Sequence, residues 1–409
     1  MTTRSAQTTG PVDRYFLRNG TACGFVLDFD GPAPPAERLA ARVVRRAASH
    51  ATLSSLPPPP GRYRWTSRQE PLRQDAHVRH VACCDDGAMT EAVRTLLDQP
   101  LPRPPHPPWD VRLLHVPGRP GFRIVYRVHH ALQDGVGAAH TLLALLADRA
   151  AEGPRPHRAA PPTVAGALLA GRSCLAVLRP AKGWDVLRRA PSQRTRWVCA
   201  DVPEPRVREL ARRYGVTVND VCLAGLAGAL GRWHGTLRTT PHPHPAPKLP
   251  VLLPMSFRQD HQRYAPGTLT TVHRLTLPCH LSGLEQALRP VHRQTRALRG
   301  HRVRDASRLA LRLLPAALGH RAAGAVLGER AAPLIVSSVT LPAGFTCFDG
   351  TLSAASLISD LCGGRLGYLS FTRAAGVVRC GLVHDAALPG ASAVPALWRE
   401  AVAGGAARP

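Results

Sequence analysis

Between Phe122 and His130 the side chains alternate. Phe122, Ile124, Tyr126, Val128 and His130 share one face; Arg123, Val125, Arg127 and His129 share the other. Period-two alternation predicts a strand, on which neighbouring residues point to opposite sides. The two histidines therefore cannot serve the same cavity. Ala131-Leu132-Gln133-Asp134-Gly135 follows at once, and then a Leu- and Ala-rich helix from Val136 to Ala151. A strand–turn–helix unit of this kind places one imidazole at a strand end, where a cavity can open.

The rest of the chain mixes strands and helices without regular βα alternation. With 409 residues, 44 % of them hydrophobic, there is material for two domains. The pattern favours two α+β lobes over a doubly wound sheet. The first spans residues 1–151, with strands at Cys23–Phe29 and Val111–Val116 and helices at Glu37–Ser49 and Gly87–Leu97. Residues 152–193 form a proline-rich crossing that includes a helix over Thr163–Leu178. The second lobe spans 194–409. It opens with a strand and a helix ending at Arg213. Thr217 and Asp220 form a capping-box pattern at the next helix. Apolar strands follow at Leu249–Leu253 and Leu334–Val339. A hairpin turns near Ala375-Gly376, and a helix over Ala393–Ala403 closes the chain.

The formal net charge is +26, yet only Lys182 and Lys248 among the 53 basic residues are lysine. Arg, Ala, Pro and Gly are all abundant, as in chains coded by GC-rich genes. Arg45-Arg46, Arg188-Arg189 and Arg212-Arg213 read as solvated helix faces. The arginines are dispersed, aromatics are 5 %, and no base-stacking or zinc motif is present, which argues against a nucleic-acid-binding protein. His242 and His244 lie in a Pro-rich loop, so no metal site is expected. The ten cysteines have no regular spacing and read as reduced thiols. No signal peptide or run of about 18 apolar residues is found, so a cytoplasmic protein is expected.

Histidine titrates near neutrality. A neutral imidazole can take a proton from an alcohol or amine as that group attacks a carbonyl. Asp134 either holds the local backbone across the turn or pairs with an arginine elsewhere. Gly135 permits a backbone conformation closed to other residues. There is no G-x-S-x-G elbow, and no cysteine carries a catalytic signature.

The His129-His130-Ala131-Leu132-Gln133-Asp134-Gly135 segment resembles the HHxxxDG signature. That signature is shared by peptide-synthetase condensation domains, chloramphenicol-acetyltransferase-like enzymes and the bacterial wax ester synthase/diacylglycerol acyltransferase family. Further segments resemble the last group: Val216-Thr217-Val218-Asn219-Asp220, Leu253-Pro254-Met255-Ser256-Phe257-Arg258, Val336-Ser337-Ser338-Val339, Pro108-Trp109-Asp110, and Leu366 to Pro389. Their order agrees over nearly the whole chain. Three positions depart from the family pattern: Ser338 where Asn is usual, Thr268 after Gly267 where Asn is common, and Pro102 where Asp is typical.

The resemblance implies two chloramphenicol-acetyltransferase-like lobes in a V with a tunnel between them. It implies His130 as general base, His129 as structural, and an ion pair between Asp134 and Arg258 that shapes the site. Asn219 and Asp220 either brace the second lobe near the tunnel or merely cap a helix. Ser337 or Ser338 either donates to an oxyanion or is an ordinary strand serine. The implied reaction moves an acyl group directly from a CoA or acidic carrier-protein thioester to a hydroxyl or amine. No permanently bound cofactor is expected. A specialised metabolite is the leading acceptor class, and wax ester or triacylglycerol synthesis, with peripheral membrane contact, the alternative.

Overall fold

A computed structural model of the chain describes residues 9–404 apart from 60–61, 63, 68–69, 150, 182, 238–246 and 314–315, so His242 and His244 lie outside the described residues. The first part runs α1 (Pro11–Asn19), β1 (Ala22–Asp30), α2 (Ala36–Ala48), a small ribbon of β2 (Ser55–Leu56) and β3 (Thr66–Ser67), and α3 (Gln74–His77). It continues through β4 (Val78–Ala82), α4 (Asp86–Asp98), β5 (Trp109–His115), β6 (Phe122–His129) and α5 (Gly135–Leu146). Helix α6 (Val164–Leu178) lies in the crossing. Next come β7 (Thr195–Pro203), α7 (Glu204–Arg213), α8 (Val218–Thr236), β8 (Leu249–Ser256) and β9 (Thr270–Leu277). Three helices follow: α9 (Leu284–Gly300), α10 (Val303–Leu313) and α11 (Ala316–Leu327). The chain ends with β10 (Leu334–Thr340), β11 (Thr346–Cys347), β12 (Gly350–Ser359), β13 (Gly367–Ala374), β14 (Val377–Asp385) and α12 (Val394–Ala403).

Two six-stranded sheets carry the two lobes, in the orders β11-β12-β1-β6-β5-β4 and β7-β14-β13-β10-β8-β9. The division at residue 194 needs a correction. Strands β11 and β12 belong by sequence to the second lobe but pair in the first sheet, with β12 antiparallel to β1. The physical reason is that Phe25, Val26 and Leu27 of β1 are fully buried, so neither edge of that strand can be left to water. β6 covers one edge and β12 the other. β12 is also fastened to the second sheet: Ser370 Oγ donates to the Leu357 carbonyl and Thr372 Oγ1 accepts from Leu357 N–H.

The 152–193 crossing ends at Asp385, whose carboxylate accepts from Ser192 N–H, Ser192 Oγ and Gln193 N–H. One arginine pair departs from its expected role. Arg46 is not on a solvated face: it donates to the carbonyls of Leu145 (3.2 Å) and Ala147 (2.6 Å), capping the C-terminus of α5. No helix among the described residues is long and apolar enough to cross a membrane.

Candidate active site

His130 follows β6 directly and is pinned from three sides. Its N–H donates to the Thr21 carbonyl at 2.8 Å. Its carbonyl accepts from Thr268 Oγ1 at 2.9 Å. Its ring lies flat on Phe16 of α1, with centroids 3.9 Å apart and planes 16° apart. Burial lowers its pKa below the ordinary 6.5, against the opposing pulls of its own carbonyl and Asp134, so the imidazole is neutral at physiological pH. His129 does not line the same cavity. Its Nδ1 accepts from Ala131 N–H, and burial, then His130, push its pKa down to about 4.

Asp134 is the N-cap of α5 and accepts from Gly137 N–H at 2.8 Å. Its other oxygen accepts from Leu269 N–H at 2.8 Å and from Arg258 Nη2 at 3.0 Å. Burial alone would raise its pKa; the Arg258 guanidinium and the two N–H donors instead hold it below 3.8. Arg258 Nη1 donates to the carbonyls of Gln262 and Ala265, and Nη2 also to that of Gly267. This one pair, with both side chains buried, fastens the loop after β8 to the turn after β6 and so joins the lobes. Gly267 N–H donates to the Leu132 carbonyl at 2.8 Å beside it. Gly135 is not left-handed, contrary to expectation. A Cβ there would meet the Leu357 methyl groups at 3.2 Å, so Leu357 would have to shift by a few tenths of an ångström. Gly137 is tighter still, because a Cβ there would sit 2.9 Å from Arg258 Nη2.

The chamber at the lobe junction is lined by His130, Ser337, Ser338, Tyr368, Asp360 and Cys362, among others. Asp360 sits one residue past β12. Burial raises its pKa to about 6, although its carboxylate accepts from Ala22 N–H at 2.6 Å. Two side cavities share walls with the chamber. One, of about 960 Å³, meets it at Val136 and Ser256 and is lined by Arg155, Arg158, Arg258, Arg299, Arg302 and Arg304. Its sole carboxylate, Asp305, is bonded to His157 at 2.8 Å. The other, of about 270 Å³, meets it at Val12, Thr270, Val272 and Leu327 and is walled by apolar and small side chains such as Ala310, Leu311, Ala323 and Val326.

Asn219 and Asp220 line neither the chamber nor these two cavities. Asp220 completes the capping box with Thr217 and accepts from Thr295 Oγ1 (2.5 Å) and His292 Nδ1 (2.9 Å) of α9. It therefore ties α8 to α9 while capping α8.

Residues 20–188 match the wax ester synthase/diacylglycerol acyltransferase catalytic domain. That match covers 169 of the chain's 409 residues. The wax ester synthase/diacylglycerol acyltransferase of Marinobacter aquaeolei VT8 superposes with a TM-score of 0.68 at 19 % identity, covering 97 % of this chain and 98 % of that one. The first condensation domain of the CDA synthetase superposes with a TM-score of 0.63 at 18 % identity, covering 97 % and 94 %. At such identities these likenesses establish the fold, the two-lobed chloramphenicol-acetyltransferase-like one. A Mycobacterium tuberculosis protein provisionally named diacylglycerol O-acyltransferase is 29 % identical over 271 residues. That match spans 56 % of this chain and 56 % of the relative, little more than half its length.

Several residues at or beside this site were not foreseen: Phe16, Asp13, Asp360 and Tyr368. For α1 a signal existed. Pro11 in the first turn, Val12, Tyr15 and Phe16 at helical spacing, and Asn19-Gly20 at the end mark a short amphipathic helix. Asp360 carries no local signal, because only the return of β12 to the first sheet brings it to His130's chamber; Tyr368 reaches the chamber from β13, beside β10 in the second sheet.

Proposed function

We propose that this protein transfers an acyl group from a thioester directly to a hydroxyl or amine, with His130 as general base. The observation that supports this reading is the His130 imidazole on the wall of a chamber at the lobe junction, its pKa lowered by burial, with a basic cavity and an apolar one sharing walls with that chamber. His130 removes the acceptor's proton as its oxygen or nitrogen attacks the thioester carbonyl. The tetrahedral intermediate collapses, the C–S bond breaks, and the imidazolium returns the proton to the departing thiolate. Ser337 or Ser338 of β10 is the hydroxyl donor on the chamber wall for the oxyanion. The test is incubation with acyl thioesters of graded length and a panel of alcohols and amines, following free thiol and product mass together. Thiol release without an acylated product, or no reaction with any CoA or carrier-bound donor, would sink the reading.

Lipid alcohols are the acceptor class the family match and the apolar branch favour over a polar specialised metabolite. Filling the branch with Ala323→Phe is expected to lower kcat/KM for long-chain substrates about tenfold while short ones are spared, a difference of about 1.4 kcal/mol. Equal losses at every chain length would show that the branch holds neither substrate.

The basic cavity supports a donor that carries phosphate. Its size falls within the range of about 300–1,000 Å³ usual for ligand pockets. Six guanidiniums line it beside one carboxylate; Arg258 is taken up by Asp134 and Arg299 lies 3.4 Å from Asp220, which leaves Arg155, Arg158, Arg302 and Arg304. Arg158 and Arg302 are exposed, so reversing their charge tests this without disturbing the core. Arg158→Glu with Arg302→Glu is expected to raise KM for acyl-CoA about tenfold or more, since a charge-assisted hydrogen bond is worth roughly 1.5–3 kcal/mol. An unchanged KM at low salt would place the phosphates elsewhere.

A further inference from the structure

We propose that Phe16 is the positioning residue of this site: its ring, carried by α1, holds the His130 imidazole in the orientation that takes the acceptor's proton. The inference rests on the reading of His130 as general base.

A catalytic imidazole needs something to fix its ring, and a carboxylate bonded to the second nitrogen is the common solution. Here the carboxylates near His130 are engaged elsewhere. Asp134 is used by Gly137, Leu269 and Arg258. Asp360 accepts from Ala22 N–H. His130 Nδ1 is buried and has no hydrogen-bond partner among the described residues. Backbone bonds to Thr21 and Thr268 fix the residue but leave the ring free to turn. What remains is the face of Phe16, 5 % exposed and parallel to the imidazole within 16°.

The helix that carries Phe16 is itself locked to the same place. Asp13 accepts from Gly10 N–H and from Thr268 N–H, both at 2.8 Å. Thr268 thus grips α1 through its N–H and His130 through its hydroxyl. Thr21, just past the end of α1, accepts from His130 N–H. The stack is also better for the product of proton transfer than for the resting state. A neutral imidazole over a phenyl face has only dispersion, whereas an imidazolium gains the attraction of a cation for the ring's negative face. An interaction that strengthens as the proton moves raises kcat rather than lowering KM.

Two substitutions test this. Phe16→Leu keeps the site apolar and removes the flat face; Phe16→Tyr keeps the face. The Leu variant is expected to lose about tenfold in kcat with KM changed less than about twofold, and the Tyr variant to recover most of that loss. The His130 Hε1 resonance, assigned by its absence from His130→Ala, is expected to carry a ring-current shift that disappears in the Leu variant and persists in the Tyr variant. Melting curves of both variants check that folding is retained. A Leu variant with wild-type kcat, a Tyr variant as slow as the Leu one, or a resonance unmoved by Phe16→Leu would overturn the proposal. If the wild type transfers no acyl group from any donor, the acyltransferase reading fails instead, and the resonance still decides whether the stack orients the ring.

Discussion

His130→Ala is expected to lower kcat by about 10²- to 10⁴-fold, the usual worth of a positioned general base. The protein should stay folded, because the change trims a chamber wall and leaves both backbone bonds of residue 130 in place. The pH profile makes the prediction sharper. Burial lowers the pKa of His130, which favours the competent neutral form near pH 7. Activity should be flat through neutrality and fall only as pH drops through that lowered value. A second group complicates the acid limb. Asp360 lines the same chamber and titrates at about 6. Asp360→Asn separates the two: the limb that survives in this variant belongs to His130. A His130→Ala variant with wild-type kcat, or a limb that vanishes in Asp360→Asn, would remove His130 from the role of base.

The sequence announced the site where the site is local. The alternation of Phe122–His130 placed one histidine of the pair in the cavity and the other outside it, as the chamber lining shows. The Thr217–Asp220 capping box is present, because its donors and acceptors are three residues apart. The hairpin near Ala375-Gly376 turns where glycine supplies a positive φ, of 75° at Gly376. What could not be read lies between segments far apart in the chain. Nothing in Gly350–Ser359 tells that its partner is β1, some 330 residues away, rather than a neighbour in its own lobe. Without that pairing Asp360 has no reason to approach His130. Thr268 is instructive in a different way. It stands as a departure from the family's Gly-Asn, yet its hydroxyl and N–H link His130 to α1. Nor do the dispersed arginines disclose that Arg155 and Arg158 of the crossing meet Arg299, Arg302 and Arg304 around one cavity. Local pattern fixes an element; only packing fixes what two elements enclose.

Asp134→Asn should be strongly destabilising, because Asp134 and Arg258 are both buried. It is nearly isosteric and asparagine caps helices as well as aspartate does, so the loss isolates the charge. Arg258 would remain buried, facing three carbonyls but no anion. Removing one partner of a buried pair typically costs about 3–5 kcal/mol. Asp134→Ala should cost about 1 kcal/mol more through the lost cap. The charge also predicts a pH signature. The folded-state pKa of Asp134 is depressed, because Arg258 and the N–H donors outweigh the burial that would raise it. Its stabilisation is therefore fully present above the unfolded carboxylate pKa of about 3.9 and is lost as pH falls through the lower, folded value. Urea unfolding of wild type and Asp134→Asn should show the largest gap above about pH 5 and a closing gap in acid. Because the pair is the tie between the turn carrying His130 and the second lobe, the same variant should lose activity at pH values where it is still folded. A gap that stays constant as pH falls would mean that geometry, not charge, is what Asp134 contributes. Arg258→Met completes the cycle. If the pair acts as a unit, the double variant should be less destabilised than the sum of the two singles, since neither charge is then left buried alone.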